Sequence, residues 1–456
     1  MSSVLVSILA FSVAITVLVA VHEYGHYWVA RRAGIKVLRF SIGFGKPLWR
    51  RRFGSDDTEF VFSAIPLGGY VKMLDEREAP VAEHEKARSF NQASVPWRMA
   101  VLVAGPLANF IFAIIAYWMM FMAGVPGVKP VVGTVEPGSI AAEAGLRDGD
   151  RIVAVGDRDT PTWEAAMLVI LDDMLDDGVV SMQVESEAGS TGRRVDLRVA
   201  GKEEELTRPG ELFSGLGFAP WRPQWPAVLE AVTAGGPAER GGLRPGDEIV
   251  SGDGEALADW PALVNFLRTR PGQEVSLGVN RDGTELDVMI TVESVTEGDQ
   301  VFGRVGIQGS APPAYPDAMR AMQSYGPIGA IGAATAKTWE MSALTLRMLW
   351  KMLQGVVSPR NISGPINIAQ YAGFSATIGV SAFVSFLAIV SISLGLINLM
   401  PVPMLDGGQL VYQAVELIKG KPVSEKTQIV GQQIGIFLLI LLMTFAFYND
   451  IARLLE

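Results

Sequence analysis

The pentapeptide His22-Glu23-Tyr24-Gly25-His26 closes a long apolar run that extends from Val4 to Val21. On a helix, residues four apart share one face, so the two histidines can bind one metal ion. Glu23 stands beside them as a candidate general base. The run is long enough to cross a bilayer, and an ionisable side chain in mid-membrane costs roughly 2.5–3.5 kcal/mol. The pattern predicts a metal site in a membrane helix; the alternative is a polar cluster just outside the lipid.

The composition excludes several other classes of site. The chain has 456 residues, 49% of them hydrophobic, which is typical of several domains with membrane spans. It contains no cysteine, so disulfides, zinc–thiolate sites and cysteine nucleophiles are excluded. Any histidine-ligated metal must use two of His22, His26 and His84, since the chain has three histidines. The net charge of −10 argues against nucleic-acid binding, and we find no glycine-rich motif for a nucleotide.

Charge along the chain predicts how it crosses the membrane. No basic residue precedes the first apolar run and no small-x-small cleavage site follows it, so we interpret the run as a retained span. Residues 31–52 then contain eight basic side chains and no acidic one. By the positive-inside rule this stretch is cytoplasmic, although a solvated charged face is also compatible with it. The N-terminus is then outside, and the histidines lie toward the inner side.

The predicted fold class is a multi-pass α-helical membrane protein with four spans, a membrane-associated β-hairpin and two tandem outer α+β domains. Both termini and the outer domains are expected to be periplasmic. The predicted segments are a first span (1–30), a cytoplasmic-side β element with linker (31–96), a second span (97–125), two outer domains (126–221 and 222–310), an amphipathic membrane-surface region (311–375), a third span (376–404), a cytoplasmic loop (405–430) and a fourth span (431–449).

Residues 58–74 predict a β-hairpin. The stretches 58–65 and 69–74 are rich in β-formers, and Pro66-Leu67-Gly68-Gly69 separates them. The hairpin either dips into the membrane beside the metal site or lies in the cytoplasm, and the composition does not decide between the two. The charged residues 75–88 predict a solvated linker.

An internal repeat organises the large block between the second and third spans. Residues 136–153 align with Ala234–Val250 at an offset of 97, and Trp163 aligns with Trp260 at the same offset. An alignment of this length predicts two homologous domains of about 90 residues each.

A third ligand for a catalytic zinc is expected from the end of the third span. Two histidines need one more protein ligand, with one position left for water. Spans one and three both end on the inner side, so Asp406 reaches the depth of the histidines. Pro401 and Pro403 interrupt the helix there, which is tolerated where backbone lines a cavity. The alternative is that Asp406 caps a helix. In the second span, Asn109 either marks a packing kink or supports the site.

The repeated sequence G-L-x-x-G-D-x-I-V resembles PDZ domains of bacterial envelope proteases. Each copy ends in a glycine loop, Gly215-Leu216-Gly217-Phe218 in the first and Val305-Gly306-Ile307 in the second. In PDZ domains the amides of this loop hold a peptide carboxylate, and the peptide adds as a β-strand. The late position of the loop resembles the circularly permuted bacterial form. A purely steric role without peptide binding is the alternative.

Three motifs together resemble the site-2 protease family of intramembrane metalloproteases. They are HEYGH at 22–26, GPLANF at 105–110 and N-x-M-P-x-P-x-L-D-G-G at 398–408. The resemblance implies that zinc is bound by His22, His26 and Asp406, with Glu23 as the catalytic acid/base. It also implies a set of substrate-handling residues, namely Asn398, Pro401, Pro403 and the strand edge Gly68, Gly69, Tyr70 and Val71.

The resemblance further implies the substrates and the location. Substrates of the family are single-pass membrane segments, such as an anti-sigma factor already trimmed outside in envelope stress signalling, or remnant signal peptides. The setting is the lipid bilayer of the bacterial inner membrane, with the PDZ domains gating access. Two other classes compete with this interpretation: a catalytically inactive membrane PDZ scaffold, and a transporter. The joint presence of His22, Glu23, His26 and Asp406 argues against the scaffold, and tandem PDZ domains argue against the transporter.

Overall fold

The computed structural model describes residues 3–186, 192–208, 210–297 and 300–455. It divides into two compact units, one formed by the chain up to Ala219 together with the chain from Ala321 onward, the other by Pro220–Arg320. The helices in chain order are α1 (Ser3–Arg32), α2 (Val95–Ala123), α3 (Ile140–Glu143), α4 (Trp163–Asp177), α5 (Glu203–Leu206), α6 (Glu211–Leu216), α7 (Pro237–Arg240), α8 (Trp260–Arg268), α9 (Pro327–Leu353), α10 (Pro365–Ile378), α11 (Val380–Leu399), α12 (Asp406–Lys419) and α13 (Glu425–Leu455).

The strands are mostly short and lie in the two repeats. In chain order they are β1 (Val37–Phe53), β2 (Thr58–Met73), β3 (Val125–Val128), β4 (Val132–Val135), β5 (Arg151–Val155), β6 (Arg158–Asp159), β7 (Val179–Glu185), β8 (Arg193–Arg198), β9 (Phe218–Pro220), β10 (Leu229–Val232), β11 (Glu248–Gly252), β12 (Glu255–Ala256), β13 (Glu274–Arg281), β14 (Thr284–Thr291), β15 (Glu293–Glu297), β16 (Gln300–Arg304), β17 (Ile307–Gly309) and β18 (Arg320–Gln323).

Among the described residues, four helices are long and apolar enough to cross a membrane, namely α1, α2, α11 and α13. Helix α2 is the central one, because it packs against α1, α9, α11 and α12. Its contact with α9 and α11 is built on small side chains that let helices approach closely: Ala113, Ala116, Ala330, Ala334 and Ala388. Within the first unit, α2 is therefore the helix around which α1, α9, α11 and α12 pack.

The third apolar helix is shorter than the predicted span 376–404. It begins at Val380, because Gly379 takes a φ of 142° that separates α11 from α10. It ends at Leu399, where Met400 is extended and Pro401 cannot donate a helical hydrogen bond. After the break the chain becomes helical again at Asp406 in α12, within the stretch predicted as a loop.

The hairpin predicted over 58–74 is wrong in its pairing. Residues 58–73 form one bent strand, β2, and its two halves do not pair with each other. Instead, segment 37–42 of β1 lies between them, pairing with 69–73 on one side and 59–62 on the other. The glycine-rich stretch bends the strand, with Gly68 at a φ of 96°, and does not close a tight turn. The result is a mixed four-segment sheet packed on α1, in which segment 37–42 runs antiparallel to 69–73 and parallel to 59–62.

The two repeats have the same sheet order. The first contains the sheet β6-β5-β7-β8 and the pair β4-β9; the second contains β12-β11-β13-β14 and the pair β10-β17. In both, the main helix starts at the repeated tryptophan after a side-chain cap, Thr162 before α4 and Asp259 before α8. Each repeat encloses its own apolar core. The sequence repeat thus corresponds to two copies of one small α+β fold.

Helix α9 connects the first repeat to the apolar helices. Ala330 and Ala334 pack against α2 and α11. Further along, Leu344, Met348 and Met352 pack against the core of the first repeat. The rest of the helix surface carries exposed apolar side chains, including Trp339 and Trp350. The helix therefore touches two different cores within the first unit and also exposes apolar side chains.

Candidate metal centre

His22 and His26 lie on one face of α1, one helical turn apart. Their Nε2 atoms are 3.2 Å from each other, and both side chains are buried. The His26 Nδ1 is 2.7 Å from the carbonyl oxygen of Val101 in α2, so this nitrogen carries the hydrogen and donates it. The lone pair of His26 then lies on Nε2, which faces the space between the two rings.

Asp406 is brought to the same space from the other end of the chain. Its Oδ2 lies 3.2 Å from His22 Nε2 and 3.4 Å from His26 Nε2. Two glycines after it make the approach possible. A Cβ atom on Gly407 would lie 2.2 Å from the Leu399 carbonyl oxygen, and one on Gly408 would lie 2.1 Å from that of Val402. The start of α12 therefore folds tightly back on the end of α11.

The three side chains fit a zinc ion. Four ligands around zinc, each at about 2.0 Å, lie roughly 3.3 Å apart, which matches the three separations of 3.2–3.4 Å. The buried Asp406 Oδ2 has no hydrogen-bond donor within the described part of the chain. It faces imidazole nitrogens that present lone pairs, an arrangement that is repulsive unless a cation lies between them. Two imidazoles and one carboxylate also match the chemistry of catalytic zinc sites.

Asn109 of α2 supports His22 in the way that Val101 supports His26. Its side-chain amide nitrogen Nδ2 lies 3.2 Å from His22 Nδ1, and the residue is completely buried. A His22 that binds metal through Nε2 carries its hydrogen on Nδ1, so the amide turned by 180° places its oxygen there as the acceptor. The Asn109 main-chain carbonyl accepts a hydrogen bond from Ser391 Oγ of α11 at 2.9 Å. The sequence left two interpretations of Asn109, a packing kink and support of the metal site, and the geometry favours support of the metal site.

Gly105 of α2 is a site residue that the sequence analysis missed. A Cβ atom here would lie 2.2 Å from His26 Nε2 and 2.9 Å from His22 Cε1. Only a residue without a side chain lets α2 pass this close to the two imidazoles. The signal that points to it is the GPLANF motif, where Gly105 precedes Asn109 by four residues and so shares its helix face.

Glu23 lies between the histidines in sequence and faces the sheet. A Cβ atom on Gly69 would lie 3.0 Å from Glu23 Cγ, so the bent strand β2 touches α1 at this residue. The segment 69–71, an unpaired sheet edge in the described part of the chain, therefore lies beside the candidate metal centre.

Comparison with known proteins decides the family. The model of "Peptidase family M50" matches residues 10–442 of the chain. The chain belongs to peptidase family M50. It is 46% identical to the regulator of sigma-E protease RseP of Escherichia coli K12 and 45% identical to the regulator of sigma E protease of Salmonella typhi, in both cases over 100% of both chains. A relative from Vibrio cholerae, 41% identical over the same extent, carries the name of a zinc metalloprotease.

The family membership has direct consequences for the chain. This M50 peptidase is a zinc metalloprotease of the site-2 protease type, and it acts as an intramembrane protease of the inner membrane. The resemblance drawn from the motifs HEYGH, GPLANF and N-x-M-P-x-P-x-L-D-G-G is confirmed.

The other predicted substrate residues of this M50 peptidase lie on the segment that leads to Asp406. Asn398 is in the last turn of α11 and is half-buried, and Pro401 is exposed in the break that follows. The Pro403 carbonyl oxygen accepts a hydrogen bond from Gln409 Nε2 of α12 at 3.0 Å. These residues lie at the end of α11 and in the connection from α11 to α12.

The two predicted glycine loops lie in the repeats and share one equivalent hydrogen bond. The Gly217 carbonyl accepts from the Glu136 amide, and the Gly306 carbonyl accepts from the Thr233 amide. In the first repeat the Gly217 amide already donates to the Phe213 carbonyl at the end of α6. Leu216 and Phe218 are buried in the first core, and Ile307 packs against the second. The remaining residue of the first loop, Gly215, is packed against Leu206, since a Cβ atom on it would lie 2.5 Å from Leu206 Cδ2.

Proposed function

We propose that this chain hydrolyses peptide bonds within or near the transmembrane segments of single-pass membrane proteins, with His22, His26 and Asp406 as the zinc ligands and Glu23 as the catalytic acid/base. The observation that carries the proposal is the convergence of three ligand atoms within 3.4 Å, two of them on a helix that is long and apolar enough to span a bilayer. The membership in peptidase family M50 supports the same reaction.

The residues around the site have different roles in peptide hydrolysis. When bound in such a site, zinc polarises the scissile carbonyl and lowers the pKa of the attacking water toward about 7. Glu23 accepts the proton of this water and passes it to the leaving amine. Val101 and Asn109 hold the two imidazoles by their Nδ1 atoms, which keeps the Nε2 lone pairs directed at the metal.

The sheet edge presents the substrate. A helical substrate is protected because its carbonyl groups are hydrogen-bonded, so it must be unwound before cleavage. The edge formed by Gly68, Gly69, Tyr70 and Val71 adds the unwound segment as a further strand beside Glu23. Asn398, Pro401 and Pro403 hold the same segment from the α11–α12 side. The close contact between Gly69 and Glu23 supports this assignment.

In this proposal, the membrane topology sets the side on which the metal site lies, and the repeats restrict the access of substrates to it. The basic stretch 31–52 faces the cytoplasm, both termini and the two repeats are periplasmic, and the site lies toward the cytoplasmic side. The repeats act as PDZ domains that exclude substrates with bulky outer domains. Substrates are then an anti-sigma factor already trimmed outside, in envelope stress signalling, and remnant signal peptides. The names of the relatives, regulators of sigma E, support the first of these.

The substitution Glu23→Gln tests the catalytic assignment. It removes the proton acceptor and leaves the three ligands intact, so zinc content is retained while cleavage of a membrane-embedded reporter falls by about 10²- to 10⁴-fold. Zinc is measured by mass spectrometry on the purified protein, and cleavage is measured in proteoliposomes. Full turnover in this variant would exclude Glu23 as the acid/base. Absence of turnover in the unmodified chain, despite bound zinc, would favour the inactive scaffold.

Deletion of residues 128–310 tests the access filter. Without the repeats, the shortened chain is expected to cleave untrimmed and trimmed anti-sigma substrates at similar rates, while the unmodified chain cleaves only the trimmed form. The ratio of the two rates is the measurement, so a general loss of activity does not mimic the effect. A ratio unchanged by the deletion would place the filter elsewhere in the chain.

A further inference from the structure

A buried ion pair joins α2 to α12 away from the metal ligands. The guanidinium of Arg98 donates to both carboxylate oxygens of Glu416, with Nη2–Oε1 at 2.6 Å and Nη1–Oε2 at 3.1 Å. The two side chains are only 8% and 18% exposed. The remaining guanidinium nitrogen, Nε, donates to the Ala93 carbonyl at 3.1 Å. The pair is thus bidentate, and its position is fixed from a third direction.

The location of this pair connects it to the metal centre. Glu416 belongs to the same 14-residue helix whose first residue is Asp406. Arg98 lies in the first turn of α2, which further along carries Val101, Gly105 and Asn109 against the two imidazoles. Helix α2 therefore contacts both elements that carry the proposed ligands, α1 at the two imidazoles and α12 at Glu416 through Arg98.

The chain before α12 does not fix the helix by itself. Residues 400–405 leave α11 with an extended Met400 and two prolines, so the helical hydrogen bonding is interrupted there. Gly407 and Gly408 set how closely the start of α12 approaches this segment. Rotation of α12 about its own axis needs a second restraint further along. A planar, two-point contact at Glu416 supplies it, because a bidentate pair fixes orientation as well as distance.

We propose that Arg98 and Glu416 are positioning residues that hold the Asp406 carboxylate in register with His22 and His26. An ion pair in a low-dielectric interior contributes little net stability compared with well-packed apolar side chains, so its geometric role is the informative one. This inference rests on the proposed function, because it requires Asp406 to be a metal ligand. It adds two residues that touch neither the metal nor the substrate.

The test compares zinc affinity and the Co²⁺ spectrum between conservative variants and a variant in which the two charges are exchanged. Arg98→Lys keeps the charge but removes the two-point contact, and Glu416→Asp shortens the reach. Each is expected to weaken zinc affinity by about 10- to 100-fold, as measured by competition with a chelator. Each also changes the visible absorption spectrum of the Co²⁺-loaded protein, which reports the ligand geometry. The double variant Arg98→Glu, Glu416→Arg restores the pair and recovers affinity and spectrum in part.

A matched control separates positioning from general stability. Arg88 pairs with Asp56 at 2.8 Å elsewhere in the same unit, so Arg88→Lys disturbs an ion pair without touching α12. It is expected to leave zinc affinity and the Co²⁺ spectrum unchanged. Arg98 variants with lowered thermal stability but unchanged affinity and spectrum would overturn the proposal. If the unmodified chain binds no zinc, or binds it equally well after Asp406→Ala, the proposed function itself fails first.

Discussion

Two carboxylates of the first unit, Asp450 and Asp406, have very different surroundings. Near the C-terminal end of α13, Asp450 is 2% exposed and accepts three backbone hydrogen bonds at the start of α10. They come from the amides of Gly364 (2.8 Å), Ile366 (2.9 Å) and Asn367 (3.1 Å). At the start of α12, Asp406 Oδ2 faces two imidazole nitrogens and receives no hydrogen bond within the described residues.

The difference in surroundings indicates separate roles for Asp450 and Asp406. A carboxylate surrounded by amides at a helix N-terminus is satisfied by the protein itself, so Asp450 is a structural cap that ties α13 to α10. A carboxylate that faces lone pairs is satisfied only by a cation. The comparison therefore predicts that substitution of Asp406 alters metal binding and that substitution of Asp450 alters stability. The following experiments test whether these two effects are separate.

The largest effect is expected from Asp406→Ala. Loss of one of three protein ligands should lower zinc affinity by more than about 100-fold and reduce reporter cleavage to background. Zinc content after purification and the chelator competition curve are the measurements. A variant that retains stoichiometric zinc would show that Asp406 is not a ligand.

The next effect in size is expected from Gly105→Ala. The new Cβ would lie within 2.2 Å of His26 Nε2, so α2 or the imidazole must shift and the metal geometry is lost. Zinc affinity should fall by at least about 10-fold. Gly332→Ala in α9 is the matched control, because its Cβ would meet nothing within 4 Å. Equal affinities in the two variants would contradict the close approach of α2.

A smaller effect of a different kind is expected from Asp450→Ala. Removal of the cap should lower the free energy of unfolding by about 1–2 kcal/mol, as for other helix caps. Zinc affinity should stay within about twofold, because Asp450 lies far along α13 from Gly435, the residue of that helix that packs against Met404. The Tm and the zinc competition curve are recorded on the same sample. Loss of zinc together with stability would mean that the two ends of the region are coupled.

The smallest effect concerns an acid in the second repeat. Burial tends to raise the pKa of Asp247, but Arg281, with both contacts at 2.7 Å, and the Arg244 amide lower it more, so its pKa lies below the ordinary value. A carboxylate of this kind stabilises the fold above its unfolded pKa of about 3.9, and the contribution is lost as the pH falls through the lower, folded value.

Measurement on the fragment 220–320 tests this dependence. Its Tm should decrease as the pH is lowered from about 5 into the acid range. In Asp247→Asn the decrease should be smaller, because the substituted side chain does not titrate. The same slope in both proteins would exclude Asp247 as its source.

Much of the structure could be predicted from the sequence. The parts that could not be predicted depend on packing between segments that are separate in the chain. Four apolar runs predict the long helices, and the aligned tryptophans predict two domains of one fold. His22, His26 and Asp406 converge as their chemistry requires. The pairing of β1 with β2 was not predictable, because Gly68 permits either a turn or a bend, and packing on α1 selects the bend. Arg98 and Glu416 are 318 residues apart, so no local pattern relates them.

Helix α9 has a structural consequence. Its early residues Ala330 and Ala334 belong to the core shared by α2 and α11, and its later residues Leu344 and Met348 belong to the core of the first repeat. A helix of 27 residues is a rod of about 40 Å. The helix is therefore a direct physical connection between the core of the first repeat and α2, the helix that contacts both imidazoles.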